Sequence, residues 1–135
     1  MKSIIAVILL SVTTLGFLVT TAGAAERTQA GQWETTLSVG QGQPSITKSC
    51  LTAAEADFIN GDLETLRKHL EQSTTEQTKG RCTTKNVQLN DNQLIVTTAC
   101  GKTEMVATTT YHGDTYETSG SGGITIAGKR LGDCP

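Results

Sequence analysis

The chain has 135 residues, with 11 Lys and Arg against 13 Asp and Glu and a formal net charge of −2. No basic block stands out, so neither nucleic acid nor an anionic membrane surface is an implied partner. Aromatic residues make up only 4% of the chain, which limits the supply of large core side chains. A thin hydrophobic core is therefore expected.

The first residues have the features of a secretory signal peptide. Lys2 gives a positive start, an apolar run extends over residues 4–19, and small residues follow it up to Ala25. A membrane anchor is the alternative, but the apolar run is shorter than the ~20 residues that span a bilayer. The sequence predicts a cleaved signal at residues 1–25 and one exported domain at residues 26–135 without a transmembrane anchor.

Two strands and a helical insertion follow. Residues 32–39 alternate in polarity, which places Trp33 and Leu37 on one face, and residues 45–51 form a second strand. The spacing of the apolar residues then changes from that of a strand to that of a helix. The predicted helical segment starts with a capping box, and a second group of helical turns in it carries a stripe of leucines. The Thr- and Gln-rich stretch 72–80 is expected to be a mobile loop.

Four cysteines lie in the exported region, which indicates two disulfides in a small secreted domain. If residues 90–92 form a three-residue hairpin loop, Cys82 falls opposite Cys100, at a distance that a disulfide can bridge. A two-residue turn would break this register. The remaining pair, Cys50 and Cys134, would close a long loop and join the end of the chain to an early strand.

Other roles for the cysteines fit less well. No two of them form a C-x-x-C motif, so a redox dithiol is not indicated, and their spacings are too long for the close ligand pairs of zinc sites. His69 and His112 are isolated and are interpreted as surface or turn residues rather than metal ligands. No cofactor is predicted.

Strands resume through the rest of the chain. Residues 104–111 lead into a Gly-Asp turn with glycine first, and this register puts Tyr111 opposite Tyr116. Residues 124–130 form the last strand. The whole pattern predicts a mainly β fold, a curved antiparallel sheet or partly open β-barrel with one short helical insertion and two disulfides.

The exported region contains, in this order, "GQWETT", "CLT", a cysteine-bounded hairpin, "YHGDTYE" and "GKRLGDC". This order resembles the proteobacterial periplasmic family known as domain of unknown function 3617, over Gly31 to Cys134. Trp33, Cys50 and Cys134 stand at the tryptophan and cysteine positions of the family pattern. The resemblance implies a periplasmic location in the bacterial envelope and implies no reaction.

Nothing in the sequence indicates catalysis, because its carboxylates fall in turns or at strand positions that face water and no nucleophile elbow is present. The sequence predicts a non-catalytic binding protein, whose partner is an envelope protein or a small apolar ligand. The candidate binding residues are Trp33, Tyr111, Tyr116, Lys129 and Arg130.

Two alternatives stay open. Trp33 could be simply the central core residue, and Lys129 with Arg130 could be a solvated strand end. The function could instead be inhibition of secreted proteases, with the N-terminal stretch 26–30 presented as a mobile segment on a rigid scaffold.

Overall fold

The computed structural model describes residues 26–135, and the expected signal peptide lies outside the described residues. The elements are β1 (Gly31–Val39), β2 (Ser45–Leu51), α1 (Ala53–Asn60), α2 (Leu63–Thr78), β3 (Cys82–Asn90), β4 (Gln93–Cys100), β5 (Thr103–Tyr111), β6 (Thr115–Gly120) and β7 (Ile124–Gly132). The predicted mainly β fold is confirmed. In residues 26–135, no helix is long and apolar enough to cross a bilayer.

All seven strands belong to one antiparallel sheet in the spatial order β2-β1-β7-β6-β5-β4-β3. Strands β3 to β7 form consecutive hairpins, whereas β1 pairs with both β2 and β7. The sheet is open, with β2 and β3 at its edges. The helical insertion connects these two edge strands along the chain.

The insertion consists of two helices rather than one short helix, each with a side-chain cap at its start. The predicted capping box of α1 is present, since the N–H of Glu55 donates to Oγ1 of Thr52 at 3.3 Å and the N–H of Thr52 donates to Oε2 of Glu55 at 2.8 Å. Asp62 caps α2 by accepting from the N–H of Thr65 at 2.7 Å. These hydrogen bonds satisfy amides that the first helical turns leave free.

The prediction of a mobile loop at residues 72–80 is wrong, because α2 continues to Thr78. Polar contacts stabilise this part of the helix: Nε2 of Gln72 donates to Oε1 of Glu76 at 2.8 Å, and two threonine hydroxyls donate to carbonyls four residues earlier. Lys79 adopts the left-handed conformation, with φ 52°, and ends the helix.

The hydrophobic core lies between α2 and the β3–β4 hairpin. Its buried members are Leu66, Val87 and Leu94, which are 3%, 6% and 6% exposed. Partly buried side chains pack around them, namely Leu70, Leu89, Val96 and Tyr111. Of the predicted leucine stripe, Leu66 and Leu70 therefore face the sheet, whereas Leu63 is 43% exposed.

The β3–β4 hairpin has the predicted cysteine pairing but not the predicted loop. Its turn has two residues, Asp91 and Asn92, and Asp91 is left-handed with φ 49°. A two-residue turn alone would misalign the cysteines by one position. A β-bulge at Lys85 inserts one extra residue and brings Cys82 directly opposite Cys100.

Both predicted disulfides are present, and no cysteine of the described chain is free. Cys82 and Cys100 join β3 to β4, with a Cα–Cα distance of 4.2 Å. Cys50 and Cys134 join β2 to the residues that follow β7, with a Cα–Cα distance of 5.6 Å. Because β1 lies between β2 and β7, this second bridge joins two parts of the sheet that do not pair with each other.

Candidate functional site

The segment before β1 is fixed against α1, so the expectation that residues 26–30 are mobile is wrong. Arg27 and Thr28 are only 5% and 2% exposed. Their N–H groups both donate to Oδ1 of Asn60, at 2.8 and 3.0 Å, and Nδ2 of Asn60 donates to the Thr28 carbonyl at 2.8 Å. The Arg27 guanidinium donates to two carbonyls at the C-terminal end of α1, where the helix dipole favours a cation.

This fixed segment forms one wall of a cavity of about 280 Å³ between α1 and the sheet. The sheet contributes the face that carries Trp33, here called the inner face. Three aromatic rings, five hydroxyl side chains and two aliphatic side chains line the cavity, and none of the lining residues is charged. The aromatic rings are those of Trp33, Tyr111 and Tyr116.

The Tyr116 ring packs against both of the other aromatic rings. The ring centroids of Trp33 and Tyr116 are 5.5 Å apart, and those of Tyr111 and Tyr116 are 6.2 Å apart. The predicted pairing of the two tyrosines across β5 and β6 is confirmed. Gly128 lies beneath Tyr116, and a Cβ there would come within 2.0 Å of the tyrosine ring. Trp33 is 3% exposed and its indole N–H donates to the Gln29 carbonyl at 3.0 Å, so it is both a core residue and a cavity wall.

The hydroxyl groups of the cavity differ in how they are paired. The hydroxyls of Tyr116 and Thr35 are 3.1 Å apart, and those of Thr109 and Thr118 are 2.8 Å apart. The hydroxyl of Tyr111 has no such partner among the described residues, and burial raises the pKa of Tyr111 to about 12. Tyr111 therefore provides the hydrogen-bonding group that the protein itself leaves open.

We expect Tyr111 to ionise near pH 12 rather than near its ordinary value of 10.0, because burial disfavours tyrosinate. As the pH rises from 10 toward 12, the unfolded chain loses this proton first, so the free energy of unfolding should fall by about 2 kcal/mol. Denaturation across this pH range, with tyrosinate absorbance as a second signal, measures the effect. Tyr111→Phe should remove this part of the pH dependence, and an unchanged profile in that variant would contradict the assignment.

Lys129 and Arg130 do not line the cavity. The Arg130 guanidinium donates to the Ala30 carbonyl at 2.8 Å and to Oδ1 of Asp133 at 2.7 Å, so it holds the two ends of the domain together. Lys129 is exposed, and side-chain alternation along β7 places it on the opposite face of the sheet. The structure therefore brings the three aromatic candidates together and places Lys129 on the opposite face. Arg130 lies beside Trp33 on the same face, but outside the cavity lining.

The histidines also lie away from the cavity. The His69 ring stacks on Phe58 with a centroid distance of 4.4 Å. His112 is exposed in the turn after β5, where its backbone N–H donates to the Thr115 carbonyl at 2.8 Å. Within the part of the chain that the structure describes, no group of three or more His, Cys, Asp or Glu is placed to hold a metal ion.

Sequence reasoning missed several lining residues. Thr109 and Thr118 could have been found, because side-chain alternation puts them on the same face as Tyr111 and Tyr116. Thr28 and Ile59 carry no such signal, since their place in the wall depends on how α1 and the N-terminal segment pack on the sheet.

A family model described as "Protein of unknown function (DUF3617)" matches residues 28–134, which include every strand, both helices and the whole cavity lining. Searches of the curated proteins and of the solved structures gave no match to this chain.

Proposed function

We propose a function for this chain, which belongs to the DUF3617 family of proteins of unknown function, on the strength of its inner-face cavity. The protein is an exported, non-catalytic binding protein that takes a small, largely apolar ligand between α1 and the sheet. The observation that carries this proposal is the meeting of Trp33, Tyr111 and Tyr116 in one cavity, where the Tyr111 hydroxyl has no hydrogen-bond partner within residues 26–135.

The lining defines the chemistry of the ligand. Aromatic rings offer large apolar area and retain fixed shape, while a few polar groups orient what they enclose. A volume of about 280 Å³ is at the small end of ligand pockets, and a lining without charged side chains disfavours an ionised group inside. The part of the ligand that the cavity encloses is therefore compact and largely apolar, with one hydrogen-bonding group directed at Tyr111.

The same lining supports binding rather than catalysis. Its residues include no carboxylate, imidazole, amine or thiol, the side chains that most often transfer protons or attack substrates. The lining does contain the hydroxyls of Ser49, Tyr111 and Tyr116, but none of the lining residues is a general base that would activate them. The cavity is suited to excluding water and orienting a ligand.

Export to the periplasm is part of the proposal. Its support is the signal-like pattern of residues 1–25 together with two disulfides, which persist in oxidising compartments. The alternative function, inhibition of secreted proteases, gains no support from residues 26–30, because Arg27 and Thr28 are buried rather than presented to a protease.

We expect phenol and toluene both to bind, and the indole N–H signal of Trp33, the one tryptophan of the chain, to shift as they do. Tyr111→Phe should weaken phenol binding by about twofold to tenfold, the value of one hydrogen bond. It should leave toluene binding unchanged, because toluene has no group that the hydroxyl could bind. Titrations followed by NMR measure both affinities.

Tyr116→Phe is the matched control, since the Tyr116 hydroxyl is already close to Thr35. This variant should lose stability and leave the ratio of phenol to toluene affinity nearly unchanged. Absence of any Trp33 response to phenol and toluene would overturn the proposed function.

A further inference from the structure

Beyond the cavity, the inner face carries an exposed apolar ridge on β1 and β7. Leu37 pairs with Ile126 and Val39 pairs with Ile124, so these four side chains lie side by side across the two strands. Leu37 and Val39 are 39% and 53% exposed. Side chains of this kind are normally covered when they form a continuous surface.

Next to the ridge, β6 and β5 provide a floor of small residues. Thr118 lines the cavity, and the next inner-face residue of β6 is Gly120, which has no side chain. Gly120 pairs with Ala107 on β5, and Ala107 pairs with Val96 on β4. The floor therefore forms a trough between Ile124 on one side and Val96 on the other, and the trough starts at the cavity.

The cavity and the trough together have the length and polarity of a lipid chain. From Tyr116 to Gly120 the strand advances ~14 Å, at about 3.4 Å per residue. A bilayer core is ~30 Å thick and holds two layers of chains, so one chain extends ~15 Å. On the inner face of β1, β7, β6 and β5, the one charged residue is Arg130, which is hydrogen-bonded to Ala30 and Asp133.

We infer that the ligand is a single-chain lipid with a small uncharged polar end, which lies at Tyr111 while its unbranched chain runs along β6 toward Gly120. This inference rests on the proposed function, since the polar end occupies the same cavity. It assigns the trough as a second part of the site, and it explains an apolar surface that the helices leave exposed.

Hexanol, octanol and decanol test the inference as probes of increasing chain length. Burial of one methylene group contributes about 0.8 kcal/mol, or about fourfold in affinity, and a chain in an open trough is buried on one side only. We expect affinity to rise roughly twofold to fourfold for each added methylene. NMR titration of the Trp33 indole signal below the solubility limit of each alcohol measures this series.

Gly120→Leu should abolish the rise in affinity with the chain length of the alcohol and should leave phenol binding unchanged. A Cβ at Gly120 would meet Cβ of Ile124 at 3.6 Å, an ordinary contact, so the variant should fold while its side chain fills the trough. Ser119→Leu is the matched control, because it adds the same side chain to the same strand on the opposite, exposed face. A melt of each variant confirms folding.

The outcomes separate this inference from the proposed function. If phenol binds but affinity does not rise with chain length, or if Gly120→Leu behaves like Ser119→Leu, the trough is not a lipid site and the cavity remains a binding site. If phenol, toluene and the alcohols all fail to bind, both proposals fail. If sedimentation shows a dimer that Leu37→Glu dissociates, and the alcohols do not compete with it, the ridge is a protein interface and the inference is wrong.

Discussion

Removal of the Cys50–Cys134 disulfide is expected to lower the free energy of unfolding by about 3–5 kcal/mol. The two cysteines are 84 residues apart, so the bridge restricts most of the unfolded chain. In the folded protein it also holds the edge strand β2 to the residues after β7. Urea denaturation of a Cys50→Ala, Cys134→Ala double variant measures the loss.

The second disulfide provides the comparison. Cys82 and Cys100 are only 18 residues apart, and the logarithmic dependence on loop length predicts an effect smaller by about 1.4 kcal/mol. The β3–β4 hairpin is also held by its hydrogen-bond ladder and by the core around Leu66. If replacing Cys82 and Cys100 by alanine causes an equal or larger loss of stability, chain entropy does not determine how much each disulfide stabilises the protein.

Trp33→Ala should lower the free energy of unfolding by about 3–5 kcal/mol, and it should also abolish ligand binding. The side chain is 3% exposed, contacts Tyr116 and donates to the Gln29 carbonyl, so its removal leaves a cavity and an unpaired carbonyl. Circular dichroism during urea denaturation measures stability in this variant, which has no tryptophan to report by fluorescence.

Val39→Ala is the control for that variant. Val39 lies on the same strand and the same face but is 53% exposed, so its truncation should change stability by about 0.5 kcal/mol or less. Equal losses of stability at the two positions would contradict the assignment of Trp33 as a core residue.

Local sequence signals predicted the hairpins well. Alternation and turn residues define each strand from its own neighbourhood, which is why the pairing of Tyr111 with Tyr116 followed from the Gly-Asp turn between them. The pairing of β1 with β7 had no such signal, because it joins strands almost a hundred residues apart and depends on the packing of the whole sheet.

The β3–β4 hairpin shows how a correct pairing can rest on an incorrect loop. The sequence predicted a three-residue loop, and the structure has two loop residues and a bulge at Lys85 instead. Each arrangement adds one residue to the same hairpin, so both align Cys82 with Cys100. The sequence contains no local signal that separates a bulge within a strand from a longer turn at its end.

The polar half of α2 was mistaken for a loop because its residues lack an apolar stripe. Hydrophobic periodicity identifies a helix by the face it buries, and the part of α2 after Leu70 contacts the sheet mainly through polar groups. One of these contacts is the hydrogen bond from Thr84 to Thr74 at 3.1 Å. Thr-to-carbonyl and Gln-to-Glu hydrogen bonds then hold a segment that hydrophobicity alone would not predict.

The pairing of β1 with β7 has a consequence for the order in which the chain can fold. The β1–β2 hairpin is synthesised first, but its neighbour in the sheet is the strand that is synthesised last. A two-stranded hairpin is barely stable by itself and exposes strand edges that promote aggregation. Because this contact spans most of the sequence, it should be a slow step of folding, and Cys50 and Cys134 covalently join the earliest and latest parts of the sheet once that step is complete.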